Sequence, residues 1–318
     1  MELPFLMHGA TIALAWFLLI NVAAAALLAI GVAWLTRRAR LTSPGFWLAL
    51  RLSPAALAIG FVAFVFLPSY WRYEPREFVE GFDVPLTTLA VAAAGVIACA
   101  MIRGVLASRN AARRVQRWLN DAEPLALAGT SMPAFAIDTD VPVMALVGVL
   151  RPRLLIARPV LDTLTSEELQ AAIAHELGHR RAWDNMKRLA MRAAPDVLGA
   201  TSIARAIERQ WAAASEHTAD RRAGDAAGTR YALASALVKV ARLVPPVTTM
   251  AEPISALLDG GDITARVERL LEDTPPVPAS RWTRWFPLAV AATALALTYT
   301  PLLRLVHDVT EVLVNGPH

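Results

Sequence analysis

Residues 3–36 carry no charged side chain. Within that run, residues 10–35 are long enough to cross a bilayer as a helix. A chain that opens this way is built around membrane-spanning helices. Two further apolar runs follow at residues 46–67 and 86–102, and a fourth lies at 285–303. Composition agrees: 56% of the 318 residues are hydrophobic and only 18% charged, too apolar for an ordinary soluble domain.

The charges set an expected topology. A secretory signal would place basic residues before its apolar run. Here the only early charge is Glu2, and Arg37, Arg38 and Arg40 follow the run. The first span is therefore expected to be retained, with its N-terminus outside. Arg51, near the start of the second span, is expected to snorkel back to the headgroups. A polar loop is expected over residues 68–85, with two Arg against Glu74, Glu77, Glu80 and Asp83, and with Tyr70, Trp71 and Tyr73 as an interfacial belt. Arg103, Arg109, Arg113, Arg114 and Arg117 follow the third span. Arg and Lys collect on the inner side of membranes, so everything from Arg103 to the fourth span is expected inside, and the C-terminal tail outside. A sequence pI near 9.7 could suggest nucleic acid, but the arginines abut spans and complete the alternation, so no direct nucleic-acid binding is expected. Cys99 is the one cysteine, read as a small buried hydrophobe; no disulfide can form within the chain, and any zinc must be held by His and carboxylate.

Residues 118–281 read as one soluble domain. Short strands are expected at 134–137, 143–147 and 153–157. Thr165-Ser-Glu-Glu168 is a capping-box signature, with Thr165 as N-cap of a helix. That helix carries His175-Glu176-Leu177-Gly178-His179, an H-E-x-x-H motif. Histidines four apart on a helix stand about 40° from each other, so both can reach one ion. Glu176 lies about 100° round, beside the ion, where a carboxylate can take a proton from a water on it. A third ligand is needed. On a later helix, expected over 203–224, Glu216 and Asp220 are i, i+4 neighbours. Glu216 is the candidate ligand, and Asp220 the candidate acceptor for the second N–H of a ligating histidine. Asp184 either supports the metal helix in the same way or caps the helix that follows. Gly178 serves either close packing or room beside the metal. Residues 153–157 are either an edge strand that pairs with substrate or an internal one. His217, Arg221, Arg222 and Tyr231 are the candidates for stabilising an oxyanion. Both histidines must be neutral to ligate, so zinc affinity is expected to fall below about pH 6.

These residues resemble the M56 membrane metallopeptidases, the family of the BlaR1/MecR1 sensor-transducers. The resemblance rests on Gly148-Val-Leu-Arg-Pro-Arg-Leu-Leu-Ile, Leu164-Thr-Ser-Glu-Glu-Leu, His175 to His179 with Asp184, and Glu216-His-Thr-Ala-Asp220. The order of three spans, zinc domain and one span also matches. The core is similar to M48 peptidases as well, which share the H-E-x-x-H and E-x-x-x-D pair. One departure is that only residues 306–318 stand where BlaR1-type proteins carry a large penicillin-binding sensor. The resemblance implies a multi-pass α-helical membrane protein with an α+β gluzincin-type zinc peptidase domain, mostly helical with a small sheet. It implies Zn2+ held by His175, His179 and Glu216, with Glu176 as general base, in a bacterial cytoplasmic membrane. The domains expected are 1–117 with three spans, 118–281 as the cytoplasmic peptidase, and 282–318 with the fourth span and an external tail. The implied partner is a protein or peptide substrate, such as a cytosolic repressor, beside membrane lipid; a homodimer is left open. Membrane protein quality control and a non-catalytic scaffold with a structural zinc site are the competing readings.

Overall fold

The computed structural model describes residues 2–38, 43–75, 84–127, 132–139, 143–224, 229–243, 255–256, 263–272 and 299–312. The fold is mostly helical with one small sheet. Among the described residues, three helical runs are long and apolar enough to cross a membrane, at Leu3–Val32, Pro44–Tyr73 and Val84–Leu119. They belong to α1 (Glu2–Arg38), to α2 (Pro44–Phe61) continued by a π-helical turn (Val62–Phe66) into α3 (Leu67–Tyr73), and to α4 (Val84–Leu119). The first part of the expected fourth span, residues 285–298, lies outside the described residues; residues 299–312 are helical, so the segment from Arg304 is not the plain tail that was expected.

The second and third runs extend further than hydropathy suggests. The helix passes through Pro68 to Tyr73, where a polar loop was expected. Proline lacks the N–H that would bond the carbonyl four residues back, and inside a membrane that carbonyl needs another donor. The Tyr299 hydroxyl donates to the Phe64 carbonyl at 2.6 Å. Pro54 is handled in the same way, with the Ser53 hydroxyl donating to the Leu50 carbonyl at 2.9 Å. At 1.5 Å per residue α4 is about 54 Å long, well beyond a hydrocarbon core of about 30 Å. Its basic end is thus a continuous helical stalk rather than a loop. Cys99 is exposed on α4 instead of buried, because that helix packs along one side only.

Arg51 corrects the snorkelling expectation. It is 1% exposed, and its guanidinium donates to Asp196 Oδ2 at 2.7 Å, Glu208 Oε1 at 3.0 Å and the Met191 carbonyl at 2.9 Å. Three acceptors inside the protein outcompete the headgroups. Nearby, the buried Asn21 of α1 donates to the Pro195 carbonyl and accepts from the Val197 N–H. Buried polar groups of this kind must be paired. Together they seat the segment around residues 194–201 against α1 and α2, with Trp47, Met191, Ile207 and Trp211 packed beside it.

The sheet has strand order β1-β2-β4-β3-β5: β1 (Glu123–Leu125), β2 (Ala134–Ile137), β3 (Met144–Val147), β4 (Arg153–Ala157) and β5 (Ser255–Ala256). Among the described strands, only the β2–β4 pairing is parallel. β4 lies between β2 and β3, so it is an internal strand and cannot offer an edge to substrate. Gly148, at φ +91°, makes the turn between β3 and β4. α5 (Arg158–Thr163) and α6 (Ser166–Ala182) pack on the sheet, and α9 (Thr229–Leu243) shares its apolar core. α7 (Asp184–Ala193) and α8 (Ser202–Gly224) pack on α6, and α10 (Ile263–Leu271) packs on α9 and α8.

The start of α6 is fixed as its sequence requires. The Glu168 N–H donates to Thr165 Oγ1, and the Thr165 N–H donates to Glu168 Oε2 at 2.8 Å. Glu168 also accepts from Ser235 at 2.6 Å and Lys239 at 2.8 Å, which ties α6 to α9. Burial favours the neutral acid, but the bonds from Lys239, Ser235 and Thr165 outweigh it and hold the carboxyl at about 2, down from 4.5. A depressed carboxylate stabilises the fold above its unfolded pKa and loses that effect as pH falls through its folded one. Glu168→Ala should therefore lower stability by about 2 kcal/mol at pH 7. The deficit should shrink between pH 4.5 and about 2, which denaturant melts across that range would reveal.

Candidate metal centre

α6 crosses α8 at close range. A Cβ on Gly178 would stand 3.3 Å from Ala219 Cα, so the glycine serves close packing. The crossing brings His175 and His179 of α6 over Glu216 and Asp220 of α8, all of them buried. His175 Nε2 and His179 Nε2 are 3.1 Å apart, and each lies 3.4 Å from an oxygen of Glu216.

The tautomers follow from the other ring nitrogens. His175 Nδ1 is 2.9 Å from Asp220 Oδ1, and His179 Nδ1 is 2.8 Å from Asp184 Oδ2. A proton on each Nδ1 faces a carboxylate and leaves a lone pair on each Nε2. Two nitrogen lone pairs and a carboxylate then face one another at 3.1–3.4 Å, and neither Glu216 oxygen has a hydrogen-bond partner among the described residues. Three converging acceptors repel one another unless a cation sits between them. The separations match it: ligand bonds of about 2.0–2.2 Å in a tetrahedron put donor atoms about 3.4 Å apart. Three ligands and an open fourth position fit zinc by donor type and by distance.

Asp184 does not cap α7; its carboxylate is held by His179, Ser215 and Lys187. Glu176 is fully buried, and its Oε2 accepts from the Leu146 N–H of β3 at 3.1 Å, while Oε1 has no hydrogen-bond partner among the described residues. Burial, with the Glu216 charge adding to it, pushes the Glu176 carboxyl up to about 7 against the pull of the imidazoles. Burial would lower His179, but the Glu216 charge and the bond to Asp184 raise it to about 10. The Glu216 carboxyl is held well below the usual range: burial opposes this, but the His179 charge, the two imidazoles that face it and the Arg266 charge prevail.

Two residues escaped the sequence reading. Arg266 of α10, 2% exposed, grips Asp220 with Nε at 2.9 Å and Nη2 at 2.7 Å, and its Nη1 lies 3.2 Å from Glu216. It sits on the same helical face as Ile263, Val267 and Leu270, which pack against the core. A lone Arg in an apolar stripe was the available signal. Asn185 donates to the carbonyls of Leu146 and Gly148, both at 3.0 Å, and holds the end of β3 beside Glu176. Of the four oxyanion candidates, Tyr231 and Arg221 are exposed, and Arg222 donates to the Gly178 carbonyl. His217 is half-buried; that burial, with the charges of Arg269 and Arg221, lowers its pKa.

Residues 109–204 match the model of peptidase family M48. The match supports a protease function, and M48 peptidases are in general zinc-dependent. It takes in His175, Glu176, His179 and Asp184 and stops short of Glu216. It falls on the family that the motifs resemble second, after M56. No curated protein matches the chain.

Proposed function

We propose that this protein is a zinc-dependent endopeptidase of a bacterial cytoplasmic membrane, with its catalytic unit facing the cytoplasm and cutting a protein substrate there. The convergence of His175, His179 and Glu216 beside a buried, half-bonded Glu176 carries this reading. A structural zinc site takes four protein ligands and needs no base. The flanking arginines support the orientation. The order of spans and motifs favours M56-type cleavage of a cytosolic protein such as a repressor. The M48 match favours membrane protein quality control as the second reading.

Zinc, when bound, would polarise the scissile carbonyl and lower the pKa of water towards about 7. The side chains do the rest. His175, His179 and Glu216 would hold the ion, and Asp220 and Asp184 fix the two imidazole tautomers. The Leu146 N–H steadies Glu176 through Oε2, leaving Oε1 to take a proton from the attacking water. Glu176 then gives that proton to the leaving nitrogen as the C–N bond breaks, so peptide and water become an acid and an amine.

The test uses full-length protein in detergent. We expect about one zinc per chain. Hydrolysis of an unfolded protein substrate should stop with a chelator and resume with zinc. In Glu216→Ala, both metal and hydrolysis should be lost. Zinc retained in Glu216→Ala would overturn the ligand set. A zinc-loaded wild type that cuts nothing would leave the scaffold reading.

A further inference from the structure

A cavity of about 490 Å3 opens beside His179, lined in part by Leu150, Pro152, Arg180, Arg181 and Trp183. Among the described residues that line it, the only carboxylate is Asp184, which is buried and already held by His179, Ser215 and Lys187. Arg180 and Arg181 are exposed, and among the described residues neither pairs with a carboxylate. An adjoining groove, reached across Gly148 to Leu150, adds Arg151 and Arg153. The charge facing this space is therefore positive.

Trp183 is the other unusual member. It joins α6 to α7 with φ 58° and ψ 37°, the one non-glycine residue with positive φ among those described. Helices that end this way normally do so on Gly or Asn, because a Cβ is disfavoured there. The N–H bonds Trp183 makes back to Arg180 and His179 come from its backbone, so a glycine would make them too. The residue is 56% exposed. An exposed indole held in a disfavoured conformation does little for the fold, and it faces a cavity that reaches a metal ligand.

We propose that this cavity selects a substrate segment in which an acidic side chain stands next to a large apolar one, Arg180 and Arg181 receiving the acid and Trp183 the apolar group. The inference rests on the peptidase reading and names its substrate class. Anionic lipid is the rival occupant of exposed arginines. Peptide is favoured because these two line a cavity that contains His179.

Binding is measured without turnover, on the full-length zinc-loaded Glu176→Gln protein, by fluorescence anisotropy of labelled peptides carrying Glu, Ala or Lys beside Phe, Leu or Ala. The Glu-Phe peptide should bind about tenfold tighter than Lys-Phe. Arg180→Glu with Arg181→Glu should invert that order. Trp183→Gly should cost the Phe and Leu peptides about tenfold relative to Ala, while its Tm holds or rises. Equal binding of Glu and Lys peptides, or an order unchanged by the double reversal, overturns the acid subsite, whether or not the variant loses co-purifying anionic lipid. A lower Tm with unchanged peptide preference makes Trp183 structural and overturns the apolar subsite. Failure of the peptidase reading shows elsewhere, as a zinc-loaded wild type that hydrolyses nothing.

Discussion

Glu176→Gln is expected to lower kcat/KM by about a thousandfold while zinc content stays at the wild-type level. The substitution is close to isosteric, and the glutamine oxygen can still accept from the Leu146 N–H. What is lost is the ability to take up a proton. Glu176 is not among the converging donors, so the ligand set survives. The group is well suited to its role: burial raises its pKa to about 7, near the value at which a base both binds and releases a proton readily. A thousandfold fall corresponds to about 4 kcal/mol of transition-state stabilisation. Metal analysis and peptide hydrolysis on the same preparation decide the matter. A zinc-loaded Gln variant that cuts as fast as wild type would sink the mechanism. Loss of zinc together with activity would instead make Glu176 part of the ion's binding site.

Much of the centre was legible because it depends on spacing within single helices. The four-residue step from His175 to His179, the same step from Glu216 to Asp220, and the Thr165 to Glu168 box each need only one helix to acquire meaning. What was not legible depends on partners far away in the chain. Arg266 meets Asp220 across 46 residues, and Arg51 meets Asp196 across 145. Hydropathy told where apolar runs end but not where helices end, so α4 was cut short at its first arginines and α3 was read as loop. Short apolar runs bounded by turn signals marked three strands, yet β4 looked as eligible for the edge as for the centre, since order in a sheet is set by pairing. Asp184 was undecided for a local reason. Whether it faces His179 or caps α7 depends on the left-handed turn at Trp183, which a sequence gives no cause to expect at a tryptophan.

The second large effect is expected at Arg266. Asp220 and Glu216 stand one turn apart on α8, 4% and 1% exposed, and both face His175. Two buried carboxylates this close repel unless each has a cation. Arg266 supplies one to Asp220 through two short bonds and lies against Glu216 as well. Arg266→Ala removes the guanidinium from Asp220, and removing one partner of a buried ion pair typically costs about 3–5 kcal/mol. Asp220 should then turn from His175, whose ring loses its orientation, and zinc affinity should fall by about 10–100-fold. Arg266→Lys keeps the charge but cannot make the paired bonds, so it should fall between. A cavity left by a missing side chain would destabilise without touching the metal; the zinc competition titration separates the two causes. Wild-type zinc affinity in a destabilised Arg266→Ala would reduce the arginine to a packing element of α10. The double variant Asp220→Asn, Arg266→Ala supplies the remaining check. With the charge on Asp220 gone, removing its partner leaves one fewer buried ion unpaired. The double variant should therefore be more stable than Arg266→Ala alone, and a double variant no more stable than it would mean that the two side chains do not act as a pair.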